Sequence, residues 1–532
     1  MKLIKLLNPI KLFLIFTREF DKIFNRILWF QFNKIINQNL KIRSKTSGNI
    51  FLADGMWDNP NQYIRLITFI SAIPKKDRHS LAAILRTRQD RSLSTFKAIG
   101  FKKFFFIEDV PINLSDRKDA FRLLKNIKSH RDILNLKFED GFKSFFIYDT
   151  VLKITKSPQT SLKSEKWIES FSDSFRLKRF YEKLFNNNNI RVMALSHARK
   201  NEFAMAFCMA LKNKVDSYHI YSMYESMRIR KIKNKTDLIY PNERITYAEY
   251  DSFDSKKKER LSKEGAKYLA LKSKRANTDI NEKLAYLSTK KGLENIDKIR
   301  KEVGSKKCII VFSHCWYDFP HAYGMKNFTD FKDWILKTYE VAKTSKDCFW
   351  IFRAHPGEKW YGGFFLKDLL KELPNNIIIL DEKISVDEIL KFTDLVITAH
   401  GTIALEAPAQ GVPVICADKT FFEDWNFVTS CSSRKKYISQ ISSISKTKYR
   451  VTNDMKEQAR AFLYLAIAPN NKKNNGLRLT ADHVRFYILY REFKHLIKFS
   501  KETLDKESKL IYEWINSKDK NYCIYKKLKL HD

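Results

Sequence analysis

The stretch TAHGTIALEAPAQGVPVICAD, residues 398–418, carries the residue types that hold a phosphate and a ribose. Gly401 permits a tight strand-to-helix turn. Thr402 then falls at a helix start, where free backbone amides and a hydroxyl suit an anion. Glu406 follows one helical turn later, and a carboxylate so placed can accept both hydroxyls of a ribose. An N-cap alone would account for Thr402, but a capping box sets its acid three residues after the cap, and here the spacing is four. A second loop, RAHPGE (353–358), offers a phosphate more. His355 can donate from its imidazole, Pro356 stiffens the loop, and Arg353 supplies a charged fork. With His400 beside Gly401, the expected phosphate and nucleotide set is Arg353, His355, Pro356, His400, Gly401, Thr402 and Glu406.

Group transfer from a phosphate needs the leaving charge stabilised and, in an inverting reaction, a base at the acceptor hydroxyl. The candidates are Asp54 in LADGMWDN, His314 and Asp318. Asp54-Gly55 also reads as a plain turn, and a retaining, front-face reaction would need no protein base. His197, Arg199 and Lys200 follow a strand-like run and could meet an acidic acceptor; a solvated basic loop is the alternative.

Positioning these residues requires strands that end at them. KCIIVFSH (307–314), DCFWIFRAHP (347–356), NIIILDE (376–382), DLVITAHGT (394–402) and VPVICAD (412–418) alternate with helical segments, the rhythm of a doubly wound parallel sheet. Polar residues cluster at the carboxyl ends of four of them, where open parallel sheets bind ligands. Ser313-His314, Arg353 to Pro356, Asp381-Glu382 and Thr398 to Thr402 occupy those ends. An earlier set of runs (49–55, 80–86, 102–109, 190–198 and 215–222) predicts a second α/β unit, with helix over 112–187. The expected divisions are a basic amphipathic helical extension (1–45), an N-terminal Rossmann-like domain with a helical insertion (46–250), a solvated helical linker (251–304), a C-terminal Rossmann-like domain (305–450) and C-terminal helices (451–532).

Residues 305–430, through FSHCWYD, WIFRAHPGE and SVDEILKFTDLVITAHGTIALEAPAQGVPVICAD, resemble the capsular polysaccharide glycosyltransferases, including those that transfer Kdo. A more distant likeness is to bacterial sialyltransferases. The resemblance implies an α/β, GT-B-like fold of two doubly wound domains facing a cleft. It also implies a nucleotide-sugar donor, a lipid-linked or oligosaccharide acceptor, and no cofactor. His355 and Pro356 would match the HP motif, Thr402 the hydroxyl motif and Glu406 the ribose carboxylate. His400-Gly401-Thr402 departs from the Asn or Asp followed by Ser-Ser or Ser-Thr that is frequent in such sequences, which leaves the donor nucleotide open. A polyol-phosphate transferase of the CDP-glycerol type and a sugar-nucleotide epimerase share the plan.

Length and composition agree with two cores: 532 residues, 44% hydrophobic and 14% aromatic. The net charge of +39 fits anionic partners. The same bias toward Lys, Ile, Asn and Phe looks genomic, so charge alone assigns nothing. No recognisable nucleic-acid-binding motif accompanies it, so no specific nucleic-acid partner is expected, and a non-enzymatic membrane- or nucleic-acid-binding role is the competing class. Seven Cys without ligand spacing argue against structural zinc and disulfides, and no Asp-x-Asp metal motif stands at a strand end, so turnover is expected to be metal-independent. No apolar run reaches the roughly 18 residues of a membrane span. The basic amphipathic start and the Lys- and aromatic-rich tail (485–527) predict a cytoplasmic protein lying on the anionic inner face of the membrane.

Overall fold

The computed structural model describes residues 29–34, 36–38, 40–42, 48–74, 79–138, 141–223, 226–239, 243–275, 285–358, 364–380, 384–468 and 501–529. Among these residues, twelve strands form two six-stranded sheets. The first contains β1 (Ile50–Asp54), β2 (Ser80–Leu85), β3 (Lys103–Phe106), β4 (Ile190–Leu195), β5 (Asp216–Met223) and β6 (Ser226–Ile232), in the order β3-β2-β1-β4-β5-β6. It is parallel except for the antiparallel β5–β6 pair. The second contains β7 (Lys307–Phe312), β8 (Cys348–Arg353), β9 (Ile377–Leu380), β10 (Leu395–Thr398), β11 (Val414–Cys416) and β12 (Thr429–Ser430), all parallel, in the order β12-β11-β10-β7-β8-β9. The two doubly wound domains expected from the alternating apolar runs are therefore present.

Both strand orders reverse once. The first sheet turns back between β1 and β4, the second between β7 and β10. At such a point successive crossovers leave in opposite directions, opening a crevice beyond the strand ends.

β6 was not legible as a strand, because SMRIRKI alternates cations with apolar residues. The cations are in fact buried. Arg228, 0% exposed, pairs with Glu243 at 2.6 Å and donates to the carbonyls of Ala466 and Ile467. Lys231 donates to the carbonyls of Trp514 and Ser517 at the end of the helix Lys501–Ile515. That helix packs on Pro60–Ala72, so the chain returns to its first domain after finishing the second. Tyr522–Lys529 also lies on β6, where Lys527 donates to the carbonyls of Leu465 and Ala468.

The segment expected to be a solvated linker is instead half core. Leu261, Tyr268, Leu269 and Lys272 of the helix Ser255–Ser273 are buried, and the helix packs on Asn453–Phe462. In the N-terminal extension, residues 1–28 lie outside the described set. Trp29, Phe32 and Ile36 are buried in the first domain's core beside Tyr63, so this part of the amphipathic face packs on its own domain. Residues 485–500 of the basic tail are likewise outside the described set, as are Asp381 and Glu382. All seven cysteines are buried, and no described helix is long and apolar enough to cross a membrane.

Candidate functional site

Each crevice carries polar residues. In the first domain, Asp54 ends β1 and Ser196 follows β4 across the reversal. Asp54 is buried; its Oδ2 accepts from the Ser196 amide and its Oδ1 from the Ser196 hydroxyl at 3.1 Å. Burial pushes the Asp54 carboxyl up to about 6, against the lowering effect of the Ser196 bonds and of Arg86. The Ser196 Oγ also lies 2.9 Å from His197 Nδ1. Since the hydroxyl proton points to ionised Asp54, Oγ accepts from Nδ1–H, and the lone pair of the imidazole is left on Nε2. Trp57 and Phe203 hold the ring with centroids at 4.5 and 5.0 Å. Burial, then Arg199 and Lys200, keep His197 neutral, well below the usual histidine range.

In the second domain, His314 and Cys315 leave β7 between the loops that follow β8 and β10. His355 Nδ1 accepts from the Gly357 amide at 3.0 Å and lies 3.1 Å from Cys315 Sγ. That fixes the opposite tautomer: the proton sits on Nε2, ready to donate. Burial lowers His355 to about 4, so it donates as a neutral ring. Gly357 leaves this ring undisturbed, since a Cβ there would sit 3.1 Å from that Nδ1. His314 stacks on Phe331 at 4.5 Å and shares a hydrogen bond with Thr398 Oγ1 at 3.1 Å. A Cβ on Gly401 would meet that same Thr398 hydroxyl at 3.0 Å and His314 at 3.2 Å, so glycine lets the loop close over the strand ends.

His400 is 8% exposed, its ring 5.0 Å from that of His314, and neither of its nitrogens has a hydrogen-bond partner among the described residues. Burial holds it down at about 3. The Thr402 side chain caps nothing at the start of Ile403–Ala409. The amides of Ala404, Leu405 and Glu406 already donate to the carbonyls of Gly401 and Thr402, and that of Gly401 to Thr398 Oγ1, which leaves the Thr402 and Ile403 amides at the helix start. Hydroxyl, amides, His355 and His400 are therefore the groups this crevice offers an anion.

Two predicted residues are held by partners within the chain. Arg353 is buried and donates to the carbonyls of Ile384 (2.7 Å) and Ala285 (3.3 Å), tying two loops together. Burial lowers its guanidinium to about 10. Glu406 accepts from Lys272 Nζ on one oxygen and from the Tyr286 hydroxyl on the other, both at 2.7 Å. Asp318 is half-buried, in a loop that also holds Phe319 at a left-handed φ of 55°. For a bulky residue that conformation is strained and persists only when neighbours dictate it.

The neighbours are residues of the first domain. Asp149 accepts from His321 Nδ1 at 2.6 Å and from the amides of His321 and Ala322. Tyr148 and Gln159 donate to Asp330, Arg131 donates to the carbonyls of Lys326 and Asn327, and Arg199 donates to the Tyr323 hydroxyl. Tyr323 in turn lies 6.1 Å from the His400 ring. The loop 196–200 of one crevice is thus two contacts away from the floor of the other. Sequence reasoning missed Ser196, Asp149, Tyr323, Lys272 and Tyr286. Only the SHARK run at 196–200 carried a signal, since the other four act through partners distant in the chain. Among the described residues no cluster of three or more His, Cys, Asp or Glu is placed to hold a metal ion.

No protein-family model matches the chain, and no curated protein sequence does. Solved structures do match at low identity. The UDP-GlcNAc 2-epimerase from Neisseria meningitidis bound to UDP-GlcNAc is 12% identical over 84% of this chain and 100% of that one, with a TM-score of 0.22. The Thermosulfurimonas dismutans KpsC beta Kdo 2,4 transferase is 11% identical over 53% of this chain and 85% of that one, at 0.35. A glycosyltransferase from Rickettsia africae ESF-5 is 12% identical over 85% and 98%, at 0.27. Likeness this distant assigns no activity. The GT-B-like arrangement of two doubly wound domains stands on the strand orders of the chain itself.

Proposed function

We propose that the chain is a glycosyltransferase of surface polysaccharide assembly, moving a sugar from a nucleotide held by the second domain to an acceptor hydroxyl met by the first. The observation that carries this reading is the pair of opposed tautomers at the two crevices. His197 presents a lone pair on Nε2, and His355 presents a proton on Nε2.

In this reaction His197 takes the proton of the acceptor hydroxyl as its oxygen bonds to the anomeric carbon. The bond from that carbon to the donor phosphate breaks, and the phosphate keeps the electron pair. His355 Nε2–H, the Thr402 hydroxyl and the Thr402 and Ile403 amides stabilise the departing charge. Asp54 is a positioning residue that acts through Ser196. Glu406 retains one lone pair on each oxygen beside Lys272 and Tyr286, enough to accept the ribose hydroxyls.

The test is thermal stabilisation of the full chain by CMP, CDP, UDP and GDP, repeated with His355→Ala and Glu406→Ala. Selective stabilisation by one nucleotide, lost in both variants, supports the reading and names the donor class. If no nucleotide stabilises the wild type, the reading is wrong. A product that carries the donor's phosphate along would make the enzyme a polyol-phosphate transferase.

A further inference from the structure

We infer that the outer face of the helix Leu114–Leu124 is a docking surface for an anionic lipid bilayer. This inference stands apart from the transfer reaction.

The helix LSDRKDAFRLL is anchored at its start by a capping box, in which the Asn113 side chain accepts from the Asp116 amide and Asp116 accepts from the Asn113 amide. Its inner face packs on Lys166–Asn186, with Ala120 and Asp116 buried and Arg179 donating to both Asp116 oxygens. At helical spacing, Leu114, Arg117, Lys118, Phe121, Arg122 and Lys125 fall on the opposite arc. Leu114 is 67% exposed and Phe121 60%, among the most exposed large apolar side chains of the described residues.

That arc borders an open groove of about 480 Å³, lined by Arg117, Lys118, Phe121, Arg122, Lys125 and Ile168 of the neighbouring helix. Of the four cations, Arg122 pairs with Asp119 at 3.1 Å in an exposed contact. Arg117, Lys118 and Lys125 form no ion pair among the described residues. Asp116 is buried on the inner face and Asp119 is taken up by Arg122, so Arg117, Lys118 and Lys125 stand beside the apolar tips without an acid of their own helix against them.

This alternation selects the partner. A folded protein's acidic surface would satisfy the cations but leave a leucine and a phenylalanine in contact with polar groups. An anionic bilayer satisfies both: lipid phosphates meet the guanidinium and ammonium groups, and the apolar tips enter the boundary below them. The net charge of +39 favours approach to such a surface from any direction, and the face determines which side is kept. The next helix, His130–Asn135, carries Arg131, which bonds to Lys326 and Asn327 of the second domain.

All seven native cysteines are buried, so a single surface cysteine can be labelled selectively. The test uses the full chain with Phe121→Cys carrying an environment-sensitive fluorophore, and Leu293→Cys on the helix Lys290–Val303 as the control. Vesicles are phosphatidylcholine alone or mixed equally with phosphatidylglycerol. The expected result is a blue-shifted, brighter emission at position 121 with the anionic vesicles only, quenched by brominated acyl chains, and no change at position 293. Replacing Arg117, Lys118 and Lys125 by Gln should lower vesicle affinity about tenfold or more, as near-surface cations do. Co-sedimentation with a silent label at position 121 would place the membrane contact elsewhere and overturn the inference. So would a label that responds to a single-stranded oligonucleotide and not to vesicles, or a full chain that does not bind vesicles at all.

Discussion

Arg199 of the first domain donates a hydrogen bond to the hydroxyl of Tyr323 in the second, and its guanidinium also lies 4.8 Å from the centre of that ring. A charged donor on a half-buried phenol is worth roughly 1–2 kcal/mol. Arg199→Ala and Tyr323→Phe should therefore show a coupling of about 1 kcal/mol in a double-mutant cycle of thermal stability. Additive losses would mean that the two side chains stabilise the chain independently.

Asp54 supplies a pH signature. Its folded-state value of about 6 lies above the ordinary 3.8, so the protonated carboxyl favours the fold. That stabilisation is full below pH 4 and is lost as pH rises through 6. At about 1.4 kcal/mol per unit, the loss at pH 8 is on the order of 3 kcal/mol. Asp54→Asn should consequently melt higher than the wild type at pH 8, with the difference closing toward pH 4. Its activity should fall all the same, because an amide does not orient the Ser196 hydroxyl as a carboxylate does. An equal melting difference at both pH values would contradict the assignment.

His355→Ala removes the Nε2 donor and should lower kcat by about 10²–10³-fold, the usual loss for one preorganised donor at a developing oxyanion. His197→Ala should lower kcat while leaving nucleotide-induced stabilisation intact. If the His197 variant loses nucleotide binding, the two crevices do not divide the labour in this way.

Lys272 and Glu406 form a pair that is almost fully buried, with side chains 2% and 6% exposed. Lys272→Met leaves a carboxylate without its cation and should destabilise by about 3–5 kcal/mol. Adding Glu406→Gln should recover much of that stability, since the pair's gain is offset by desolvation. Chemical denaturation of the two variants measures both effects.

The strands β7, β8 and β10 were legible because a central parallel strand is an unbroken apolar run, and their polar ends stood out against it. Hence His314, His355 and His400 to Thr402 could be named from sequence. β6 was not legible: Arg228 and Lys231 look like surface residues until Glu243 and the carbonyls of residues 466, 467, 514 and 517 are brought to them. Glu406 was visible as a carboxylate one turn past a helix start, but its partner Lys272 lies in a run of lysines that hides one buried member. Asp54 was visible as a strand-end acid. Its effect on His197 passes through Ser196, and no spacing rule joins three residues across a crevice. What local pattern encodes was readable, and what distant partners impose was not.

The return of the helix Lys501–Ile515 to Pro60–Ala72 has a consequence for biosynthesis. A chain leaving the ribosome in order presents β1 to β6 first, yet part of their packing, Lys501–Ile515 on Pro60–Ala72 and Tyr522–Lys529 on β6, is missing until residues 501–529 emerge. The strands of the second sheet are all made by residue 430. The first sheet to emerge therefore waits for residues 501–529 before its packing is complete. While translation continues, the exposed flank of Pro60–Ala72 is the surface that a holding chaperone would find.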